Sequence, residues 1–302
     1  AAGFHAIVIG TVFDRVMVIE VAAGDLTEGG YADGDATAAR FRCPTGVAYV
    51  NRSRTLIIAD LGNACLRGLS GGIVRTVAGA CGAPGFANGP GWNARFLEPA
   101  LVATVGDDAI VSDNGAQCLR TFRLRHPDRL VGAAAGNCML ANSEPIVIGD
   151  GPQQQVALNE VVAMAVLVIV PEPWVFVATR SGTIREVRFG YVTTATQALD
   201  EVVLHMDFSV VNSEELIITT DGGSVYSLNV EAYTLLRIAT MPGTVLTTTL
   251  PTGDVLMATD TGDIVVASDP PPPPTRCAGC SSTCMGYCCV DLGTCERDGC
   301  LA

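Results

Sequence analysis

The sequence predicts an all-β chain, a five-bladed β-propeller with six blades as the alternative, followed by a small disulfide-rich module. Three observations predict it. A module is written at least twice in succession, over 31–79 and 86–136. A strand–turn–strand pair recurs five times, as LIIADLGNACLRGLS, AIVSDNGAQCLRTFRL, WVFVATRSGTIREVRF, ELIITTDGGSVYSLNV and DVLMATDTGDIVVASD. Between them, runs rich in β-formers alternate with Gly, Asp, Asn and Pro, and almost no stretch shows helical period. A unit of four short strands cannot bury both faces of its sheet alone, so the copies must stack, and a closed ring removes most exposed edges.

Taken in order, two strands are expected over 6–12 and 15–22, sixteen in four full blades, and three over 245–268. That total of twenty-one fits five four-stranded blades with one strand over, and the ring would close by pairing 17–21 with 264–267. Each hairpin carries a glycine (Gly62, Gly115, Gly182, Gly223 and Gly262), expected where a tight turn needs positive φ. The segment entering each early blade also recurs. Asp33-Gly34, Asn88-Gly89 and Asp150-Gly151 stand eight residues before Phe41, Phe96 and Leu158, so three loops should share one conformation.

The apolar stretch over 161–170 is broken by Pro171-Glu172-Pro173 and reads as buried strand, not a membrane span. Residues 1–269 form the propeller, and 270–275 follow as a linker. Its prolines, Pro270, Pro271, Pro272, Pro273 and Pro274, lack backbone donors and favour a stiff polyproline II rod of roughly 15 Å, at about 3.1 Å per residue. Residues 276–302 have too few apolar side chains for a core and must be stapled by cysteines.

Composition sets the compartment. The 302 residues carry 49% hydrophobic residues and 33 glycines, ample for one large core. Net charge is −13, and all 18 basic residues are arginine, which argues against nucleic acid or an anionic membrane as partner. The absence of lysine also excludes Schiff-base chemistry and a P-loop. Twelve cysteines, seven of them in the last 26 residues, point to an oxidising, extracellular setting. The opening Ala1-Ala2-Gly3 suits either a mature product freed of its signal peptide or an excerpt of a longer chain.

Cys65 and Cys118 occupy equivalent positions at the second-to-third strand turn, and Cys81 and Cys138 match just after their blades end. Equivalent positions on neighbouring blades lie too far apart for a bond that needs Cα atoms within about 7 Å. Cys65–Cys81 and Cys118–Cys138 are therefore predicted, each stapling one blade. Cys43, on the same face, is left to pair with the tail, where Cys277, Cys280, Cys284, Cys288, Cys289, Cys295 and Cys300 are odd in number. Intermolecular bridges are the competing outcome.

The order Asp/Asn-Gly, Ala-Arg-Phe-x-x-Pro, a strand, Ala/Ser-Asp-x-Gly-x-x-x-Leu-Arg, and Val-x-x-x-Ala-Gly resembles the NHL repeat over the first two copies and partly over the third. That resemblance implies a propeller, commonly six-bladed, whose ligands or partners meet one face of the ring. The tail's cysteine spacing is similar to a cystine-knot miniprotein, and a prolyl stretch beside a secreted domain resembles the hydroxyproline-rich glycoproteins of algal walls and flagellar hairs.

No catalytic residue and no cofactor is expected. His5, His126 and His205 lie on different elements, without the convergent spacing of the zinc site found in NHL-like amidating lyases. There is no Gly-x-Ser-x-Gly elbow. Cys277-x-x-Cys280 sits among five further cysteines and reads as structural disulfide. Asp33, Asn88 and Asp150 could line a calcium site, although turn formation explains them more simply. Asn51-Arg52-Ser53 is an N-glycosylation sequon in an expected hairpin turn, and the five prolines could be hydroxylated and O-glycosylated.

These readings favour a secreted structural or interaction glycoprotein, a self-assembling subunit of a fibre, flagellar hair or wall layer. Its partners would be copies of itself or other extracellular glycoproteins. The alternatives are a monomeric carbohydrate- or protein-binding propeller and a propeller lyase or hydrolase using the central channel.

Overall fold

The computed structural model describes residues 6–13, 16–138, 149–168, 172–249, 255–260 and 264–267. The proline linker, the whole cysteine-rich module, His5 and Gly262 lie outside the described residues, as do the expectations that rest on them. A hairpin, β1 (Ala6–Phe13) and β2 (Val16–Gly24), opens the chain. The first blade contains β3 (Gly34–Asp35), β4 (Pro44–Val50), β5 (Thr55–Asp60), β6 (Cys65–Ser70) and β7 (Ile73–Ala78). The second contains β8 (Pro99–Val105), β9 (Asp108–Asp113), β10 (Cys118–Phe122) and β11 (Val131–Gly136). The third contains β12 (Gly151–Pro152), β13 (Val161–Leu167), β14 (Trp174–Thr179), β15 (Ile184–Arg188) and β16 (Tyr191–Thr194). The fourth contains β17 (Val203–Phe208), β18 (Glu215–Thr220), β19 (Ser224–Asn229) and β20 (Thr234–Thr240). A sheet of β21 (Thr244–Thr249), β22 (Val255–Thr259) and β23 (Ile264–Ala267) follows.

Every sheet is an antiparallel meander, and β3 and β12 add two-residue outer strands to blades that are otherwise four-stranded. The first strands stand side by side around the ring, β4 beside β8, β8 beside β13, β13 beside β17 and β17 beside β21. Middle strands are packed on both faces. Along β14, Val175 and Val177 pack against Ile110 and Leu119 of the second blade, while Phe176 and Ala178 pack with Leu216 and Ile218 of the fourth. This is why β14 reads as an unbroken apolar run in place of an alternation. Among the described residues no helix is long and apolar enough to cross a membrane.

Three expectations are corrected. The pairing of 17–21 with 264–267 is absent among the described residues: β2 pairs with β1. The hairpin instead sets Ile7 and Ala23 against Ala39, Phe41 and Ile58 of the first blade. Second, Gly62 and Gly115 do not supply positive φ. Their hairpins turn through short 3-10 segments, and the left-handed residues are Ala64 (φ 55°) and Gln117 (φ 57°). Glycine is needed there for close approach, since a Cβ on Gly62 would lie 2.6 Å from the Arg42 carbonyl oxygen and one on Gly115 2.7 Å from Leu97 Cβ. In the shorter turns Gly182 (φ 80°) and Gly223 (φ 78°) do take the left-handed conformation.

The third correction concerns Asp33, Asn88 and Asp150, read as turn formers or calcium ligands. Each accepts a hydrogen bond from a blade arginine. The fully buried Arg67 donates to Asp33 Oδ1 (2.5 Å), Asp60 Oδ2 (3.0 Å), and the carbonyls of Ala32 and Arg40. Its guanidinium lies between the rings of Tyr31 and Phe41, 5.0 and 5.1 Å from their centroids. Arg120 repeats the arrangement on Asn88 Oδ1 (2.7 Å), Asp113 Oδ2 (3.1 Å), and the carbonyls of Ala87 and Arg95, between Phe86 and Phe96. In the third blade Arg185 keeps Asp150 and the Gly149 carbonyl, but Thr179 stands where the buried aspartate would be. A cation would have to displace a guanidinium to reach these oxygens. Through them each entry loop is fixed to the fourth strand, with Gly34 paired to Val74, Gly89 to Val131 and Gly151 to Val192.

Burial raises the carboxyls of Asp60 and Asp113 and lowers the Arg120 guanidinium, so each ionic clasp stands against a desolvation cost. Backbone N–H groups offset it: Leu97 and Glu98 donate to Asp113, and Arg42 donates to Asp60. Asp113→Ala, which strands a buried guanidinium, is expected to cost about 3–5 kcal/mol in urea unfolding. Asp150→Ala, at a side chain 54% exposed, should cost at most about 1 kcal/mol. Equal losses would remove the clasp from the stability argument.

On β17, burial lowers the pKa of His205, with Asp207 opposing, and its Nδ1 is buried without a hydrogen-bond partner. The folded state therefore favours the neutral imidazole. That contribution is present above the ordinary histidine value of 6.5 and is lost as pH falls below it. Melting temperature should drop from pH 7.5 toward pH 5 more steeply in the wild type than in His205→Gln, and parallel curves would refute the assignment.

Candidate binding surfaces

One face of the ring is set by sulfur. Cys65 is bonded to Cys81 and Cys118 to Cys138, each with Cα atoms 5.1 Å apart. The 3-10 turn at Leu61–Asn63 gathers the first blade's cysteines: the Gly62 N–H donates to the Arg42 carbonyl beside Cys43, and the Gly82 N–H beside Cys81 donates to the Asn63 carbonyl. Cys43 is half-buried, in the left-handed region (φ 48°), and has no disulfide partner among the described residues. Asn51 sits at the other end of β4, exposed in the β4–β5 turn, where its carbonyl accepts the Arg54 N–H.

The two histidines among the described residues, His126 and His205, lie on separate elements. His126 lies in the 123–130 loop, where its Nδ1 accepts the Asp128 N–H at 3.1 Å, and His205 lies on β17. Among the described residues no group of three or more His, Cys, Asp or Glu is placed to hold a metal ion.

A different constellation forms at the seam between the third and fourth blades. Glu186, buried on β15, accepts hydrogen bonds from Trp174 Nε1 and the Tyr233 hydroxyl, with Thr193 Oγ1 at 3.4 Å. Arg188 stacks between Trp174 and Phe189, 4.1 and 4.5 Å from their ring centroids. Phe189, Tyr191 and Tyr233 are 59%, 56% and 45% exposed, although each carries a large apolar ring. A cleft of about 480 Å³ opens beside them, lined by residues 194–199, Tyr233 and Leu235.

Desolvation, reinforced by the bond to Glu186, pushes the Tyr233 hydroxyl up to about 12. The phenol is thus a fixed donor at neutral pH and not a base. Chemically the site offers ring faces, a stacked guanidinium and hydroxyls around a cleft. Sequence reasoning passed it over. Phe189 and Tyr191 flank Gly190 in the β15–β16 turn, and Tyr233 ends the β19–β20 turn, so aromatics at hairpin tips were the available signal.

Neither a protein-family model nor a curated protein matches the sequence. Solved structures share its fold. A chain from the crystal structure of a nidogen/laminin complex superposes with a TM-score of 0.56 at 9% identity, over 85% of this chain and 83% of that one. The WD40 β-propeller domain of Doa1 gives 0.53 at 12% identity, over 87% and 72%. A gluconolactonase from Xanthomonas campestris gives 0.50 at 11% identity, over 77% of each chain. The NHL-repeat resemblance rests on the repeat motifs themselves, and at these identities the likeness is one of architecture, which carries no activity with it. The chain is a β-propeller.

Proposed function

We propose that this chain is an extracellular propeller module that binds a protein partner through the aromatic patch between the third and fourth blades. The observation that carries the reading is the exposure of Phe189, Tyr191 and Tyr233, with Phe189 stacked on Arg188 and Tyr233 bonded to the buried Glu186. Tyrosine, tryptophan and arginine dominate binding hot spots because they give large contact area at little entropic cost when already held in place. Two intrachain disulfides fit an oxidising compartment, and exposed Asn51 is the glycan acceptor this setting would use. The nidogen/laminin neighbour is a propeller solved in a complex, which supports a binding role by analogy.

A second reading, self-assembly into a fibre or wall layer, is favoured by β20, the fourth blade's outer strand. There Leu236 is 66% and Ile238 42% exposed, and an apolar edge strand invites pairing with another chain. The two readings separate by experiment. Phe189→Ala/Tyr191→Ala should leave unfolding unchanged and weaken a partner captured from extracellular fluid by about 30-fold, roughly 2 kcal/mol. Equal retention by the variant would eliminate the patch. Light scattering that finds a monomer at all concentrations would eliminate self-assembly.

A further inference from the structure

At the other well-formed seam, between the first and second blades, lies a groove of opposite character to the protein's net charge. The chain carries 31 acidic residues against 18 arginines, and many of those arginines are consumed by carboxylates, Arg67, Arg120 and Arg185 in the clasps and Arg40, Arg52, Arg125 and Arg180 on the surface. Arg75 on β7 and Arg129 in the 123–130 loop are exceptions. Neither guanidinium has an ion-pair or hydrogen-bond partner among the described residues, both are exposed, and both line one cleft of about 320 Å³.

The cleft is built, not incidental. Its floor is Gly68, where an added Cβ would come within 2.8 Å of Val77 Cγ1, and Leu124 forms a wall. Arg129 is held in the left-handed region (φ 48°) by its N–H bond to the His126 carbonyl (2.8 Å). Its backbone is clamped onto β7 by Gly91, where a Cβ would meet the carbonyl oxygens of Val77 at 2.8 Å and Arg129 at 3.0 Å. A second cleft of about 440 Å³ shares Val77 and Arg129 with the first and is lined further by Pro127 and Trp92, which is 67% exposed.

We propose that this groove binds an extended acidic peptide segment, its carboxylates on Arg75 and Arg129 and an apolar side chain against Trp92. Unpaired guanidinium forks select carboxylates, and an extended strand places alternate side chains about 6–7 Å apart, which suits a groove that is cationic at one end and apolar at the other. An anionic glycan carries charge without a matching apolar side chain for Trp92 and Pro127. The proposal is independent of the patch between the third and fourth blades.

The test is fluorescence anisotropy of a labelled hexapeptide alternating Glu and Phe, with a Gln/Phe analogue, polygalacturonate as the anionic glycan, and sedimentation of the protein alone. Saturable binding of the Glu/Phe peptide is expected. It should weaken at least tenfold in Arg75→Glu/Arg129→Glu, in the milder Arg75→Gln/Arg129→Gln, and with the Gln/Phe analogue. Arg237→Glu, on β20, should stay within twofold of wild type. Unaltered affinity in the double variants overturns the proposal. So does binding of polygalacturonate without the peptide, or a dimer that only the double variants dissociate, which would assign the groove to a glycan or to a second copy.

Discussion

The structure depends on a guanidinium buried between two aromatic rings. Arg67 and Arg120 each satisfy a buried aspartate, a second side chain on the entry loop and two backbone carbonyls at once. Only a planar fork with five donors can do this; a lysine ammonium in the same place would leave carbonyls orphaned. A long irregular loop would ordinarily be the softest part of a blade. Here its carbonyls point inward at a cation, so the loop is part of the core, and the fourth strand is fixed through the same residues. The disulfides reinforce the same end of the blade as the clasp, since Cys65 and Cys118 begin β6 and β10 directly opposite Asp60 and Asp113.

Much of this was legible in the sequence, and the failures are informative. The repeat announced stacked sheets, and cysteines in register announced two staples. The Leu-Arg pair was itself visible as part of the motif, as were Asp33 and Asn88. What spacing could not show was that they meet: Arg67 and Asp33 are 34 residues apart, and their contact exists only once the loop has folded over the blade. Gly62 and Gly115 failed differently. They were read as residues needed for positive φ, but the demand comes from the close approach of Arg42 and Leu97. Local sequence carries propensity, whereas close approach is a tertiary fact.

The aromatic patch was illegible for a related reason. Phe189, Tyr191 and Tyr233 look like ordinary strand formers, and nothing in their spacing says that three rings stay exposed. Tyr233 is held by Glu186, whose counterparts in the equivalent strands are uncharged: Gly68 in the first blade, Thr121 in the second and Ser227 in the fourth. A carboxylate at that depth is costly unless every oxygen is satisfied. Trp174 and Tyr233 satisfy it from two different blades, so the acid ties the seam together and fixes Tyr233.

The clasp also weakens along the chain, and this ordering bears on function. The first two blades have the full set of arginine, aspartate and disulfide. The third keeps the arginine but has Thr179 for the aspartate, and the fourth has Thr220 and Tyr226 at the two positions. Hydroxyl contacts stand there in place of the buried arginine–aspartate pair, such as Thr219 with Thr247 at 2.6 Å and Ser224 with the half-buried Glu201 at 3.1 Å. Such contacts avoid the desolvation cost of buried ions but tie fewer groups per residue. The seam between the first two blades can therefore present unpaired arginines from a frame braced on both sides, while the later seam relies on a single carboxylate to join Trp174 to Tyr233. Rigidity that is inherited from the clasp in one half has to be rebuilt locally in the other, and Glu186 is where that rebuilding is concentrated.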